Sequence, residues 1–197
     1  MISAGTGEQI RWGRGNWIFL DIGFSTTERS CGLLIGDGEP EPLRFSEAQI
    51  EVKHAVSTFK TANIVIEAPL SVCFDASGNP IGRSIEKEGK RARYWYVGPG
   101  CAVMVASMYF VQNLIGDSGG ASIRLFEGFV SYKGQERSSH QEDVLALRRV
   151  VQYPSKNEIY EGEQLRRNRG DDLFSAFRVI GLDCGVPAVI KPAGELT

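Results

Sequence analysis

A chain of 197 residues is long enough to bury one substantial core, and a single domain over 1–197 is expected. Hydrophobic residues at 42% and charged residues at 23% exclude disordered and fibrous chains. A formal net charge of -2 with a pI near 5.8 excludes a globally basic surface, so any nucleic-acid binding must use a local patch.

The polar, Gly-rich stretch 1–16 is expected to be a flexible start with no signal-peptide character. Trp17 to Gly23 (W-I-F-L-D-I-G) is a short apolar run closed by glycine, as in a strand buried on both faces, and Asp21 is its anomaly. A polar turn from Ser25 to Arg29 leads to a second run, Ser30 to Gly36, so the two can form a hairpin, and a brief third strand follows around Leu43 to Phe45. From Ser46, apolar residues at Ala48, Val52, Ala55, Val56, Phe59 and Ala62 mark one face of an amphipathic helix, with His54 off the stripe and exposed. Asn63 to Pro69 (N-I-V-I-E-A-P) is the next buried strand, and Glu67 again stands at its carboxyl end.

Leu70 to Gly98 is expected to be a long, irregular loop. An apolar helix over Cys101 to Leu114 comes next, then a strand over Ile123 to Tyr132 with Glu127 inside it. Ser139-His-Gln-Glu142 fits a capping box before an apolar face of Val144, Leu147, Val150 and Val151, which makes His140 a helix-start residue rather than a catalytic base. Pro154 to Gly170 is a polar surface connection, and Asp171-Asp172 opens a last helix carrying Leu173, Ala176, Phe177 and Ile180. Cys31, Cys73, Cys101 and Cys184 lie far apart without C-x-x-C spacing, which predicts reduced core thiols in a cytoplasmic protein. No stretch approaches the length of a membrane span, so no membrane partner is expected.

This order of elements predicts an α/β domain with helices packed on a mixed sheet. The strands of Asp21 and Glu67 can lie parallel and adjacent, with the intervening helix as crossover. Two carboxylates at neighbouring buried strand ends repel and are poorly solvated, so they need a counter-charge, and a divalent cation supplies it. Magnesium prefers oxygen ligands, and paired ions of this kind assist phosphodiester cleavage. A third carboxylate at a helix start crossing the strand ends would complete the site.

Three stretches, D-I-G at 21–23, I-E-A-P at 66–69 and D-D-L-F-S-A-F at 171–177, resemble the acidic motifs of the ribonuclease H-like superfamily. I-E-A-P-L, the loop with Arg91 and Arg93, the strand R-L-F-E-G-F and the D-D helix are similar to a family of predicted RNase H-like nucleases, over roughly residues 17 to 190. The resemblance implies a mixed five-stranded RNase H-like sheet with helices on both faces and a nuclease dependent on Mg2+ or Mn2+. It carries Asp21, Glu67 and Asp172 over as catalytic metal ligands, with Glu127 as a fourth acid. One departure is Ser175, where such helices often place a second aspartate: either Asp172 suffices, or the site binds metal poorly and catalysis has been lost.

Arg83, Lys87, Lys90, Arg91 and Arg93, followed by Trp95 between two tyrosines, combine phosphate-pairing groups with rings on which unpaired bases stack, the composition of a nucleic-acid loop. A solvated charge run with core aromatics explains the same residues equally well. Two rival functions stand beside the nuclease. One is a non-catalytic RNase H-like module that binds nucleic acid or a protein partner. The other starts from D-I-G-F-S-T-T at 21–27, similar to the phosphate-binding hairpin of the sugar-kinase, actin and chaperone ATPase superfamily, whose two lobes this chain could supply only as a homodimer.

Overall fold

The computed structural model describes residues 1–25, 28–115, 120–130 and 138–193. In chain order its first half comprises β1 (Ile2–Ala4), β2 (Asn16–Asp21), β3 (Cys31–Ile35), β4 (Glu41–Leu43), α1 (Phe45–Thr58), β5 (Thr61–Glu67), β6 (Ser71–Phe74), β7 (Pro80–Ile81), β8 (Lys87–Glu88) and β9 (Arg91–Ala92). The second half adds α2 (Pro99–Ile115), β10 (Ser122–Gly128), α3 (His140–Gln152), β11 (Ile159–Tyr160), β12 (Asp172–Ser175) and β13 (Val189–Ile190). Residues 131–132, the expected end of the β10 strand, and Thr26 and Thr27 of the D-I-G-F-S-T-T stretch lie outside the described residues.

Among the described residues the main sheet is mixed and has eight strands rather than five, in the order β11-β13-β10-β5-β2-β3-β4, with β1 also on β10. Its middle follows the sequence expectation: β2 and β5 are parallel neighbours, β5 and β10 are parallel, and β2-β3-β4 run antiparallel. The additional strands share one edge of β10. β1 lies against Ile123, Arg124 and Leu125, and β13 takes over at Glu127 and Gly128. The start of the chain is therefore tied into the sheet where a flexible segment was expected. Gly5 continues the ladder by donating its N–H to the Leu125 carbonyl at 2.7 Å, and Ile10 is buried. A strand this short carries too few residues to show a period.

Strand alternation divides the core into two layers. Ile18, Leu20, Ile64, Ile66 and Leu125 meet Ala48, Val52 and Val56 of α1 and Val103, Phe110 and Val111 of α2. On the opposite face Trp17, Phe19, Leu34, Val65 and Phe126 meet Val144, Leu147, Val150 and Val151 of α3. Helices thus cover both faces. Each such side chain contributes roughly 1.5–3 kcal/mol when fully buried, so these layers fix the relative positions of the strand ends.

Two expectations are overturned outside the main sheet. The segment after Pro69 is not a featureless loop: β12, β6 and β7 form a three-stranded antiparallel sheet, and β8-β9 is a hairpin. The helix expected from Asp171 does not form. Residues 172–175 are the strand paired with β6, and a short 3-10 turn at Ala176–Ile180 follows. Leu173 and Phe174 between polar Asp172 and Ser175 fit a strand as well as a helix over so few residues, and pairing to β6 decides it. Cys31, Cys73 and Cys184 are buried as expected, whereas Cys101 is exposed on α2. Among the described residues, no helix is long and apolar enough to cross a membrane.

Candidate metal centre

The parallel register of β2 and β5 sets Asp21 opposite Glu67, each the last residue of its strand. Both share the face of Phe19 and Val65, beneath α3. Asp21 is 2% exposed and Glu67 5%. Two acids so placed need positive charge, and the protein supplies some of it. The Arg93 guanidinium clasps Glu67, with Nη1 at 2.6 Å from Oε1 and Nη2 at 3.3 Å from Oε2. His140 Nδ1 lies 2.7 Å from Asp21 Oδ2.

The third acid is Asp143, not Asp172. His140 and Asp143 stand three apart in the first turn of α3, so they share a side of the helix. That turn is held by the expected capping box: Ser139 Oγ accepts from the Glu142 N–H at 3.2 Å, and Glu142 Oε2 accepts from the Ser139 N–H at 2.6 Å. Ser138 Oγ donates to Asp143 Oδ1 at 2.6 Å, which orients the buried carboxylate. Two glycines allow the close approach. A Cβ at Gly32 of β3 would stand 2.3 Å from the His140 carbonyl oxygen, and one at Gly23 would stand 2.7 Å from His140 Nε2.

Among the described residues, one ligand atom each from Asp21, His140 and Asp143 forms a group whose members all lie within 4.8 Å of one another. Among the described residues the site carries excess negative charge. Burial, then the Glu67 charge and the contact with Asp143, push the Asp21 carboxyl from 3.8 up to about 7, against the opposing pull of His140. Two carboxylates and an imidazole are a donor set that suits a divalent cation.

The other expected site residues separate into distinct roles. Asp172 is exposed on β12, while its neighbour Asp171 is buried and closes a turn, its Oδ2 accepting from the N–H groups of Asn168 at 2.7 Å and Arg167 at 3.1 Å. Glu127 pairs with Ile66 rather than Glu67, which puts it on the other face of the sheet. There its carboxylate accepts from the Leu70 N–H at 2.8 Å and meets Arg83 at 2.7 Å through both oxygens. Arg83 itself is wholly buried, with Glu86 and Ser71 as its other partners, so it is not a surface group for phosphate. Trp95 is 8% exposed and donates to the Ile81 carbonyl at 2.9 Å, which withdraws it from base stacking. Lys87, Lys90 and Arg91 remain exposed around the β8-β9 hairpin.

His140 and Asp143 could have been found by the signal that exposed Asp21. Asp143 lies on the stripe of Leu147, Val150 and Val151, an acid in an apolar face. No protein-family model, curated protein or solved structure matches this chain.

Proposed function

We propose that the protein is a divalent-metal-dependent hydrolase of nucleic-acid phosphodiester bonds, acting in the cytoplasm through Asp21, His140 and Asp143. The observation that carries this reading is the convergence of those three ligand groups at the carboxyl ends of buried parallel strands. The resemblance to RNase H-like nucleases supports it, as does the order of the five central strands, with β2 between antiparallel β3 and parallel β5. The cation, Mn2+ or Mg2+, would polarise the phosphoryl oxygen and lower the pKa of water. Asp21 and Asp143 would hold it by charge, and His140 would add a nitrogen donor. Arg93 fixes Glu67 through both of its oxygens.

The test is titration calorimetry with Mn2+ alongside cleavage of single- and double-stranded DNA and RNA. Wild type should bind Mn2+ and cut at least one substrate. Asp143→Asn should lose at least tenfold in metal affinity, since it removes a charged ligand, while keeping its melting temperature within a few degrees. Retention of full Mn2+ affinity by Asp143→Asn would reject the ligand set.

A second reading, a non-catalytic module of the same fold, is favoured by one observation. Glu67 is held through both oxygens by Arg93 and is not free to bridge a second ion. Metal binding without cleavage of any substrate would select it.

A further inference from the structure

We propose that three basic segments far apart in the chain join into one surface beside Glu67, and that this surface grips the sugar-phosphate backbone of a nucleic-acid strand. The inference rests on the reading of the protein as acting on nucleic acid, and names the part of the molecule that holds it.

The first segment is the β8-β9 hairpin with its flanks. Residues 83–96 carry five cations against two acids, in a chain whose net charge is -2. Arg83 is committed inside the fold, but Lys87, Lys90 and Arg91 are exposed. The second segment runs from Arg166 to Arg169, and two contacts bring it against the first. The Arg167 guanidinium lies over the Tyr94 ring at 5.8 Å, and Ser84 Oγ donates to the Gln164 carbonyl. Tyr94 is in turn stacked on Tyr96, with ring centroids 5.5 Å apart. Lys191, next after β13, is the third contribution: its Nζ stands 3.6 Å from Glu88 Oε2 of the hairpin and 5.7 Å from the Phe129 ring. The same ring carries the Arg93 guanidinium at 5.6 Å, and Glu67, Arg93, Tyr94 and Phe129 line one crevice. The joined surface therefore reaches the strand ends, where Glu67 stands opposite Asp21. Among the described residues, Lys87, Lys90, Arg91, Arg167 and Arg169 form no ion pair, whereas Arg93, Arg166 and Lys191 each meet a carboxylate. The charge of those five is open to a ligand. A phosphodiester chain repeats its negative charge at every nucleotide, which suits exposed cations distributed over several segments, and guanidinium groups match phosphate oxygens in pairs.

The experiment measures equilibrium binding of fluorescently labelled DNA and RNA oligonucleotides in EDTA over a range of salt concentrations, with a parallel Mn2+ titration. Wild type should bind at least one of them, and more weakly as salt rises. The double variants Lys90→Glu/Arg91→Glu and Arg167→Glu/Arg169→Glu should each weaken binding about tenfold or more and flatten the slope of log affinity against log salt by about one to two. All four side chains are exposed, so both variants should melt within a few degrees of wild type. Lys60 is exposed just before β5, at the opposite end of that strand from Glu67, and Lys60→Glu should bind as wild type does. An unchanged salt slope in either double variant overturns the joined surface and leaves the metal centre standing. An equal loss in Lys60→Glu shows attraction to charge in general and overturns it too. Wild type that binds no oligonucleotide, or binds polyglutamate as tightly, overturns the nucleic-acid assignment. Loss of binding in both double variants with no Mn2+ taken up by wild type removes the metal reading and keeps the surface.

Discussion

Two buried clusters of acids and cations sit on opposite faces of the same sheet, and they are built to different ends. Around Arg83, two carboxylates and a serine close on one guanidinium, the Leu70 N–H donates to one of those carboxylates, Glu127, every group is buried, and Arg83 reaches Glu86, Glu127 and Ser71 at 2.6–2.9 Å. Around Asp21, among the described residues, three carboxylates face one arginine that is committed to Glu67, plus a histidine that is 33% exposed. The first cluster is satisfied within the chain. Among the described residues the second is short of positive charge, and burial, with the Glu67 charge behind it, raises the Asp21 carboxyl to about 7. An acid cluster is structural when its carboxylates close on partners of their own, and a candidate site when ligand atoms converge that could share a cation.

The largest effect should come from breaking the closed cluster. Arg83→Met leaves Glu86 and Glu127 buried without their cation and should cost about 3–5 kcal/mol in urea unfolding at neutral pH, less in acid where the carboxyls protonate. Mn2+ affinity of whatever remains folded should be unchanged, because Glu127 is on the other face. Unchanged stability would show that the network contributes nothing.

The open cluster should respond in the opposite direction. Asp21 is held above its ordinary value of 3.8, at about 7, so the native state binds a proton that the unfolded chain has released between those values. Its unfavourable contribution is absent below about pH 4, grows as pH rises through 7, and is complete above that. Asp21→Asn in EDTA should therefore be about 2–4 kcal/mol more stable than wild type at pH 8, with the two converging near pH 4. It should also lose Mn2+ binding. A variant less stable than wild type at pH 8 would mean that the His140 contact outweighs the crowding.

The smallest effect sharpens the comparison by its absence. Asp172 is exposed and belongs to neither cluster, so Asp172→Asn should change stability by less than about 0.5 kcal/mol and leave Mn2+ binding as in wild type. Loss of metal in that variant would return the third ligand to the end of the chain.

The sequence by itself determined the α/β class, the buried strands β2 and β5, the amphipathic helices α1 and α3 and the capping box at Ser139. Each rests on a local period or a short-range hydrogen bond that a dozen residues fully express. It also singled out Asp21 and Glu67, because an acid at the end of an apolar run is conspicuous wherever the chain goes next. What only the tertiary structure decided was the company each charge keeps. Arg83 and Trp95 look like surface residues in a basic stretch, yet the β6-β7 segment folds them inward. Asp172 sits in a pattern that suits a helix until β6 offers a strand partner, and His140 with Asp143 reaches Asp21 only because Gly23 and Gly32 let α3 settle against two strands more than a hundred residues earlier. Pairing across such distances leaves no period in the chain, since burial and strand registry are properties of elements brought together rather than of either element alone.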